Sequence, residues 1–548
     1  MKMKKLIALL ISMVLIVGLV AACGGQEPVE QPPADPVVEQ PPEQDDDPTP
    51  PPAEEIEAPT ETVETHLQVV QPSMPANFDP ALTNDVPSAR AHALIYQTLV
   101  YQAEDLSIIP GLATEWEFVD AQTIIFQIRE GVRFHNGNIL TAEDVAFSLN
   151  RAGESPHTAA ITSFIDEAVV LGEHEVKVTT EYPFAPMLRH FAHSASSIVN
   201  KEEVERVGDD EHAMNPVGTG PFRFYSQVAG DRFDLVRFDE FNSVVPGMPE
   251  GQLPVIERIT FRIVPDPAVR TIELETGAAH IVTEVGATEV QRIRDHADLI
   301  MYEIPNFSIN TWLGFNNQNA PFDDIRVRQA IAYAIDIPTI VDVAWAGLGE
   351  VAQGPIPTTV PGALTFPVIQ QNIERARELM EEAGLADGFS TNVWVNEGNA
   401  MRADAATMIQ AQLRALNIDV QVNIYEWGIL LPATAAGEHD MSLMGWVTVT
   451  GDPDYGLYPV YHSANWGEAG NRNFYSNPRV DELLILGRTT TDNDQRMAYY
   501  AEAQELIMAD LPLIPLWQAS ELHATRDNVS GFVVLPTAIM NLWMISIN

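Results

Sequence analysis

The sequence predicts an α/β protein of layered strands and helices, divided into more than one domain. Three observations predict it. Stretches with the two-residue apolar period of strands alternate with stretches of helical period. Roughly 485 residues remain once two unusual N-terminal segments are set aside, too many for one hydrophobic core. No repeat with a period of about 20–50 residues is present, which argues against a solenoid or a propeller. One cysteine in 548 residues excludes intramolecular disulfides, so stability rests on core burial.

The elements follow in chain order. Lys2, Lys4 and Lys5 precede an apolar run from Leu6 to Val20, then Ala21-Ala22-Cys23-Gly24. This is a charged n-region, a short apolar region and a small-residue cleavage site. The cysteine after the small pair resembles the lipobox of bacterial lipoproteins. That resemblance implies a signal peptide over 1–22, acylation of Cys23, and a chain held on the outer face of the cytoplasmic membrane. The alternative is an uncleaved signal-anchor helix, although Leu6 to Ala22 is slightly short of the roughly 20 residues that span a bilayer. Residues 26–60 are dominated by proline and acidic side chains. Such a segment buries too little apolar surface to fold, so 23–64 reads as an anchor and disordered tether.

Beyond it, 66–71 reads as a strand, 72–85 as a loop and 88–102 as a helix. TIIFQIR (123–129) is a strand, and Thr141 caps a helix over 142–151 with acidic residues in its first turn. HEVKVTTEY (174–182) is a strand, and the Gly/Pro loop 215–221 leads into another. ERITFRIV (257–264) is a strand, with Asp266 capping a helix over 267–277. Helices follow at 326–336, at 373–384 (closed by Gly384), at 408–418, at 478–488 and at 493–509. Strands are expected at 419–427 and 441–449, the latter ending in a Gly/Pro turn around Asp452.

The formal charge is −47, from 77 acidic and 30 basic residues. Beyond the leader the only lysines are Lys177 and Lys201. This balance excludes nucleic acid and anionic lipid surfaces as partners of the folded body. It fits a saline or alkaline habitat, or simple solubility.

Several stretches together resemble one family: GLATEWEF (111–118), IREGVRFHNGNILTAEDVAFSLNRA (128–152), NPVGTGPFRF (215–224), DPAVRTIELETG (266–277), FDDIRVRQAIAYAID (322–336), YEWG (425–428), MGWVTVTGDPDY (444–455) and NFYSNPRVDELL (473–484). In this order they are similar to the solute-binding lipoproteins of peptide, nickel and opine type that serve ABC importers. The resemblance implies a two-lobed periplasmic-binding-protein fold, class II-like, with an extra small domain and the ligand enclosed between lobes. It implies lobe I from 65–97, 218–300 and 522–548, the extra domain from 98–217, and lobe II from 301–521. It also implies a monomer without cofactor or metal that captures a peptide or peptide-like solute and delivers it to the permease subunits. A nickel chelate, an opine or an oligosaccharide is the alternative ligand, and a ligand sensor without transport the alternative role.

The expected ligand contacts are Asn77, Phe78 and Asp79 on the first-lobe loop, with Asn316, Trp427, Trp446, Thr448, Asp452, Asp454 and Tyr455 from the second lobe. Trp345 is a weaker candidate. The resemblance also exposes a departure. Dipeptide and oligopeptide binders carry an acid three positions after the matching tryptophan, to pair with the ligand's ammonium; Val449 stands there. Asn396 stands where dipeptide binders place a carboxylate-binding arginine. Either Asp452 or Asp454 substitutes as the clamp, or the ligand is another peptide-like molecule such as glutathione.

Signals for catalysis are weak. GTGPFR (218–223) has Arg223 in place of the third glycine of a dinucleotide loop. His190 and His193 have the spacing of a metal pair, but no cysteine or carboxylate cluster completes a site. DPDYG (452–456) lacks the glutamate of a calcium loop, Ser463 standing there. An extracytoplasmic hydrolase is the rival class, and no nucleophile presents itself for it.

Overall fold

The computed structural model describes residues 65–105, 107–304, 309–518, 520–535 and 538–548. The expected signal peptide, Cys23 and the tether to residue 64 lie outside the described residues.

Three large sheets organise the described chain. The first has seven strands, in the order Leu299–Ile304, Glu521–Arg526, Ile281–Thr283, His66–Gln71, Arg258–Ile263, Arg232–Arg237 and Phe222–Val228. His66–Gln71 pairs in parallel with Arg258–Ile263 and Ile281–Thr283, which lie far along the chain. The second sheet has six strands, in the order Glu350–Val351, Leu513–Gln518, Ile309–Phe315, Met441–Val447, Ser390–Asn396 and Asp419–Tyr425. Its central strands are largely buried because both faces are covered; Leu313, Phe315, Val393 and Leu443 have no exposure at all. The third, four-stranded and antiparallel, orders Ala113–Phe118, Thr123–Ile128, Glu175–Thr180 and Ile165–Gly172, with helix Ala142–Glu154 packed on it. The chain passes from first sheet to second between Ile304 and Ile309, and returns between Gln518 and Glu521. Two connections therefore join the lobes, a geometry suited to hinge motion.

Local chemistry explains most element ends. Thr141 and Asp144 form a full capping box at the start of Ala142–Glu154. Asp266 accepts from the amides of Ala268 and Val269, Pro267 fills the first helical position, and Gly277 closes that helix at φ 78°.

Three expected elements need correction. The helix expected over 88–102 spans only Val86–Ile95; Val100–Gln102 instead pairs with Ile108–Pro110 in a hairpin. The helix expected over 408–418 is Ala400–Leu413, started by the Asn399 side chain and followed by a tight turn to Leu416. Its alanine-rich sequence gives almost no apolar stripe at the start, and so no period to read. The turn expected around Asp452 is the N-terminus of helix Pro453–Tyr461, with Asp452 as its cap.

The loop 77–79 ties the first lobe to the extra domain. Asp79 is fully buried, and both its carboxylate oxygens accept from Arg151, at 2.8 and 2.7 Å. His212 Nδ1 lies 2.9 Å from the same carboxylate. Burial pushes the Asp79 carboxyl up, but His212 and Arg151 outweigh it and hold it well below the usual range. Phe78 packs against Phe224 and Phe233 in the first-lobe core. Asn77 Oδ1 accepts from the Asp79 amide at 2.9 Å. The residues expected at the ligand thus brace the fold.

Gly218 and Gly220 carry the chain back from the four-stranded sheet and its helices to the seven-stranded sheet. A Cβ on Gly218 would stand 2.1 Å from the Ile95 carbonyl oxygen, and one on Gly220 2.4 Å from that of Leu94. Gly218→Ala should therefore destabilise the protein by about 1–3 kcal/mol, read as a lower midpoint in chemical unfolding.

Candidate functional site

A cavity of about 290 Å³ lies between the two lobes, bordered on one side by the extra domain. Lobe II supplies most of its aromatic walls. Trp446 follows Gly445 on a central strand, and its Nε1 donates to the Tyr455 carbonyl at 2.8 Å, with the two rings 5.4 Å apart. Tyr455 in turn faces His193 of the extra domain, OH to Nε2 3.5 Å. Burial pushes His193 down to about 3, so it is neutral at physiological pH. Val449 joins Trp446, Tyr455, Ile161 and Ala195 in an apolar cluster at this corner. Trp345 also lines the cavity, its buried indole Nε1 without a partner.

The acids that line the cavity are each engaged. Asp85 caps helix Val86–Ile95; it accepts from Ser88 N at 3.2 Å, from Thr83 Oγ1 at 2.6 Å, and across the cleft from Trp427 Nε1 at 3.2 Å. Arg90, on the same helix, is paired with both Glu284, at 3.1 Å, and Glu521. Glu284 sits in the left-handed region at φ 52°, a conformation that strains a residue with a side chain. Arg270 holds it there, donating to its carbonyl at 2.7 Å. Burial raises the Glu521 carboxyl, but Arg90 and His523 more than offset this and hold it near about 2.

Two arginines of the lining, Arg402 and Arg472, are less fully paired. Arg402 lies at the start of helix Ala400–Leu413, 7% exposed, with Nη1 donating to Asn396 Oδ1 at 2.9 Å. No carboxylate pairs with it among the described residues; burial lowers its pKa to about 10 against the pull of Glu284. Gly445 makes room for it: a Cβ there would stand 2.9 Å from Arg402 Nη2. Arg472 also lines the cavity, its Nε buried and unpartnered, and burial lowers it to about 10. Arg189 of the extra domain donates to the Thr450 carbonyl at 3.0 Å, which links that domain to lobe II.

Of the residues expected at the ligand, Trp427, Trp446 and Tyr455 line the cavity, and Trp345 with them; Asn77, Phe78, Asp79, Asn316, Thr448, Asp452 and Asp454 do not. Asn316 stitches a turn, donating to the Gly437 carbonyl at 3.1 Å and accepting from Gln318 N. Thr448 is buried beside Gly456. Asp452 pairs with Arg496, and Asp454 lies between Arg488 at 3.4 Å and Tyr500 OH at 3.0 Å. Both acids are consumed in holding helix Pro453–Tyr461, so neither is free to serve as an amine clamp. His190, the partner of His193 in the expected spacing, is buried with Nδ1 on the Ile161 carbonyl at 2.8 Å.

Sequence reasoning missed Arg402, Arg472, Asp85, Glu284 and Glu521. Arg402 did carry a signal. A cation in the first turn of a helix opposes the macrodipole, a cost that calls for a compensating anion.

Residues 107–468 match the family described as bacterial extracellular solute-binding proteins, family 5. The glutathione-binding protein GsiB of Pectobacterium atrosepticum is 29% identical over 475 residues, covering 85% of this chain and 91% of its own. The dipeptide-binding protein of Escherichia coli is 28% identical over 496 residues, covering 84% and 91%. Among solved structures, the ABC transporter-associated periplasmic binding protein DppA of Helicobacter pylori, in complex with the peptide STSA, matches with a TM-score of 0.81 at 27% identity, covering 88% of this chain and 98% of its own. The two-lobed binding-protein fold expected from the sequence is the fold observed.

Two outcomes are expected. Asp454→Ala should cost about 3–5 kcal/mol of stability by leaving Arg488 buried without its counter-charge, with little change in affinity for the cavity's ligand; unfolding curves and calorimetry separate the two effects. Glu521, depressed in the folded state, contributes stability that is complete above the unfolded glutamate pKa of about 4.3 and is lost as pH falls toward about 2. Glu521→Gln should remove that part of the acid dependence, measured by denaturant titration across the window.

Proposed function

This chain belongs to the bacterial extracellular solute-binding proteins of family 5, and we propose that it captures a peptide or peptide-like solute and delivers it to the membrane subunits of an ABC importer. A dipeptide, an oligopeptide or a glutathione-like molecule is the ligand in this reading. The observation that carries it is the cavity itself, which both lobes line with aromatic walls, buried charges and a helix N-terminus. A few placed polar groups among apolar walls are what a small, amphiphilic ligand requires. Trp427, Trp446 and Tyr455 are its aromatic contacts. A neutral oligosaccharide would leave the cavity's arginines without an anion, which argues against that alternative.

In this reading lobe I (65–97, 218–300, 522–548) carries the extra domain (98–217) and closes on lobe II (301–521). Hydrogen bonds that cross between these parts, Trp427 to Asp85 and Arg189 to Thr450, belong to the closed state. Binding energy then shifts an open–closed equilibrium toward the form the permease recognises. The protein works as a monomer outside the cell, anchored by an acylated Cys23 and spaced from the membrane by the segment before Thr65.

Mass spectrometry of material released by denaturing the full chain, purified in detergent, tests the ligand class. A peptide or glutathione-like mass that raises the melting temperature on re-addition is expected; a sugar or a metal chelate would overturn the reading. Cys23→Ser should release the protein from membranes, seen by fractionation. Retention with an uncleaved leader would replace the lipid anchor by a signal-anchor helix.

A further inference from the structure

The charge inside the cleft runs opposite to the charge of the molecule. The chain as a whole carries −47, yet the cavity is lined by Arg189, Arg270, Arg402 and Arg472 against Asp85, Glu284 and Glu521. Arg90, just behind the wall, neutralises part of the Glu284 and Glu521 charge. Asp85 is spent on a helix cap and an indole, and Glu284 and Glu521 each give one oxygen to Arg90. Where the resemblance would place an amine clamp, Val449 packs with Trp446 and Tyr455 in an apolar corner.

Arg402 is the opposite case. It is buried, and among the described residues its guanidinium makes one hydrogen bond, to a neutral amide, and no ion pair. The acid acting on it is Glu284 of the other lobe, itself bonded to Arg90. Arg402 also stands on the first turn of helix Ala400–Leu413, and Gly398, Asn399, Ala400 and Met401 line the cavity beside it. Asn399 Oδ1 accepts from the Arg402 amide, so it is the amides of Ala400 and Met401, at the positive end of the macrodipole, that open onto the same space as the guanidinium. A carboxylate fits this corner, meeting the helix amides and the guanidinium fork together. Arg472 also lines the cavity, from a different segment of the chain.

Resting on the peptide-like reading, we propose that the solute is net anionic: one carboxylate binds Arg402 and the amides that begin helix Ala400–Leu413, a second acidic group meets Arg472, and no free amine is required. The helix-borne Arg402 thereby takes over the anchoring that Asn396, six residues earlier, is unable to provide; Asn396 instead orients its guanidinium.

The test titrates the full chain in detergent, by calorimetry, with alanyl-glutamate, N-acetyl-alanyl-glutamate, alanyl-alanine and alanyl-alanine amide. Affinity should fall roughly tenfold or more with each carboxylate removed, while acetylation of the amine should change it by less than about threefold. Arg402→Met should weaken the glutamate compounds by roughly 30-fold or more and abolish the preference for acid over amide. In the ligand-free protein the same substitution should raise the melting temperature by about 2 °C, because a buried, unpaired charge is removed; a merely structural arginine would lower it. Gly445→Ala, which crowds Arg402 without removing its charge, should weaken the same compounds. If the amide binds as tightly as the acids, or acetylation abolishes binding, the anionic proposal fails while the peptide reading stands. If none of the four binds, both fail.

Discussion

Buried charge has to be compensated, and the way this chain does it decides where its parts meet. An isolated ion costs several kcal/mol to desolvate, and several buried carboxylates recruit a cation from a distant part of the chain. Asp79 draws Arg151 and His212 from the extra domain onto a first-lobe loop. Glu284 and Glu521 converge on Arg90 and fix three separate segments of the chain around one guanidinium. Asp454 and Asp452 bind Arg488 and Arg496, with Arg488 stacked 3.6 Å from the centre of the Tyr458 ring. The cations in these contacts are arginines rather than lysines. A planar fork satisfies two carboxylate oxygens at once, and its weaker hydration makes burial cheaper. Arg402 and Arg472 break this pattern. Arg270 and Arg328, also buried without a carboxylate, are held by backbone carbonyls instead, whereas the Arg402 guanidinium in the cleft has one neutral hydrogen bond, which marks a place kept for something else.

What the sequence revealed, and what it hid, follows from the range of the forces involved. Capping boxes, proline at a helix start and glycine beyond a helix end act within a few residues, so Thr141, Asp266 and Gly277 announce their elements. Alternation over Thr123–Ile128 and Arg258–Ile263 is equally local. The helix Ala400–Leu413 was misplaced because alanine gives no amphipathic stripe, and with it went the position of Arg402. Aromatic residues at and beyond the end of a buried strand were a sound guide to the cavity: Trp446 and, on the helix that follows, Tyr455 line it. The acids beside them were not, because a carboxylate's partner is settled by tertiary contact. Nothing near Asp454 in the sequence points to Arg488 or Tyr500, and nothing near Asp79 points to His212.

The cleft also shows how a strongly acidic protein can hold an anion. With about 10 Å of screening at ordinary ionic strength, the negative surface acts weakly on the interior. A low-dielectric cavity feels its own lining, and there the guanidiniums and the amides of one helix dominate. Surface charge and site charge are thus free to be set separately. The surface answers to solubility and the surrounding medium, and the cavity to its ligand.

The tryptophans have a consequence for how this molecule can be watched. Trp312, Trp345, Trp427, Trp446, Trp517 and Trp543 border the cavity, six of the nine in the chain. Trp427 spans the gap between lobes by its hydrogen bond to Asp85, and Trp446 turns its indole N–H onto the Tyr455 carbonyl. Indole emission depends on whether the ring sees water, carbonyl groups or a nearby charge. Opening the lobes would wet several of these rings at once and separate Trp427 from its carboxylate. The chain therefore carries a built-in optical gauge of its own conformation, which needs no label.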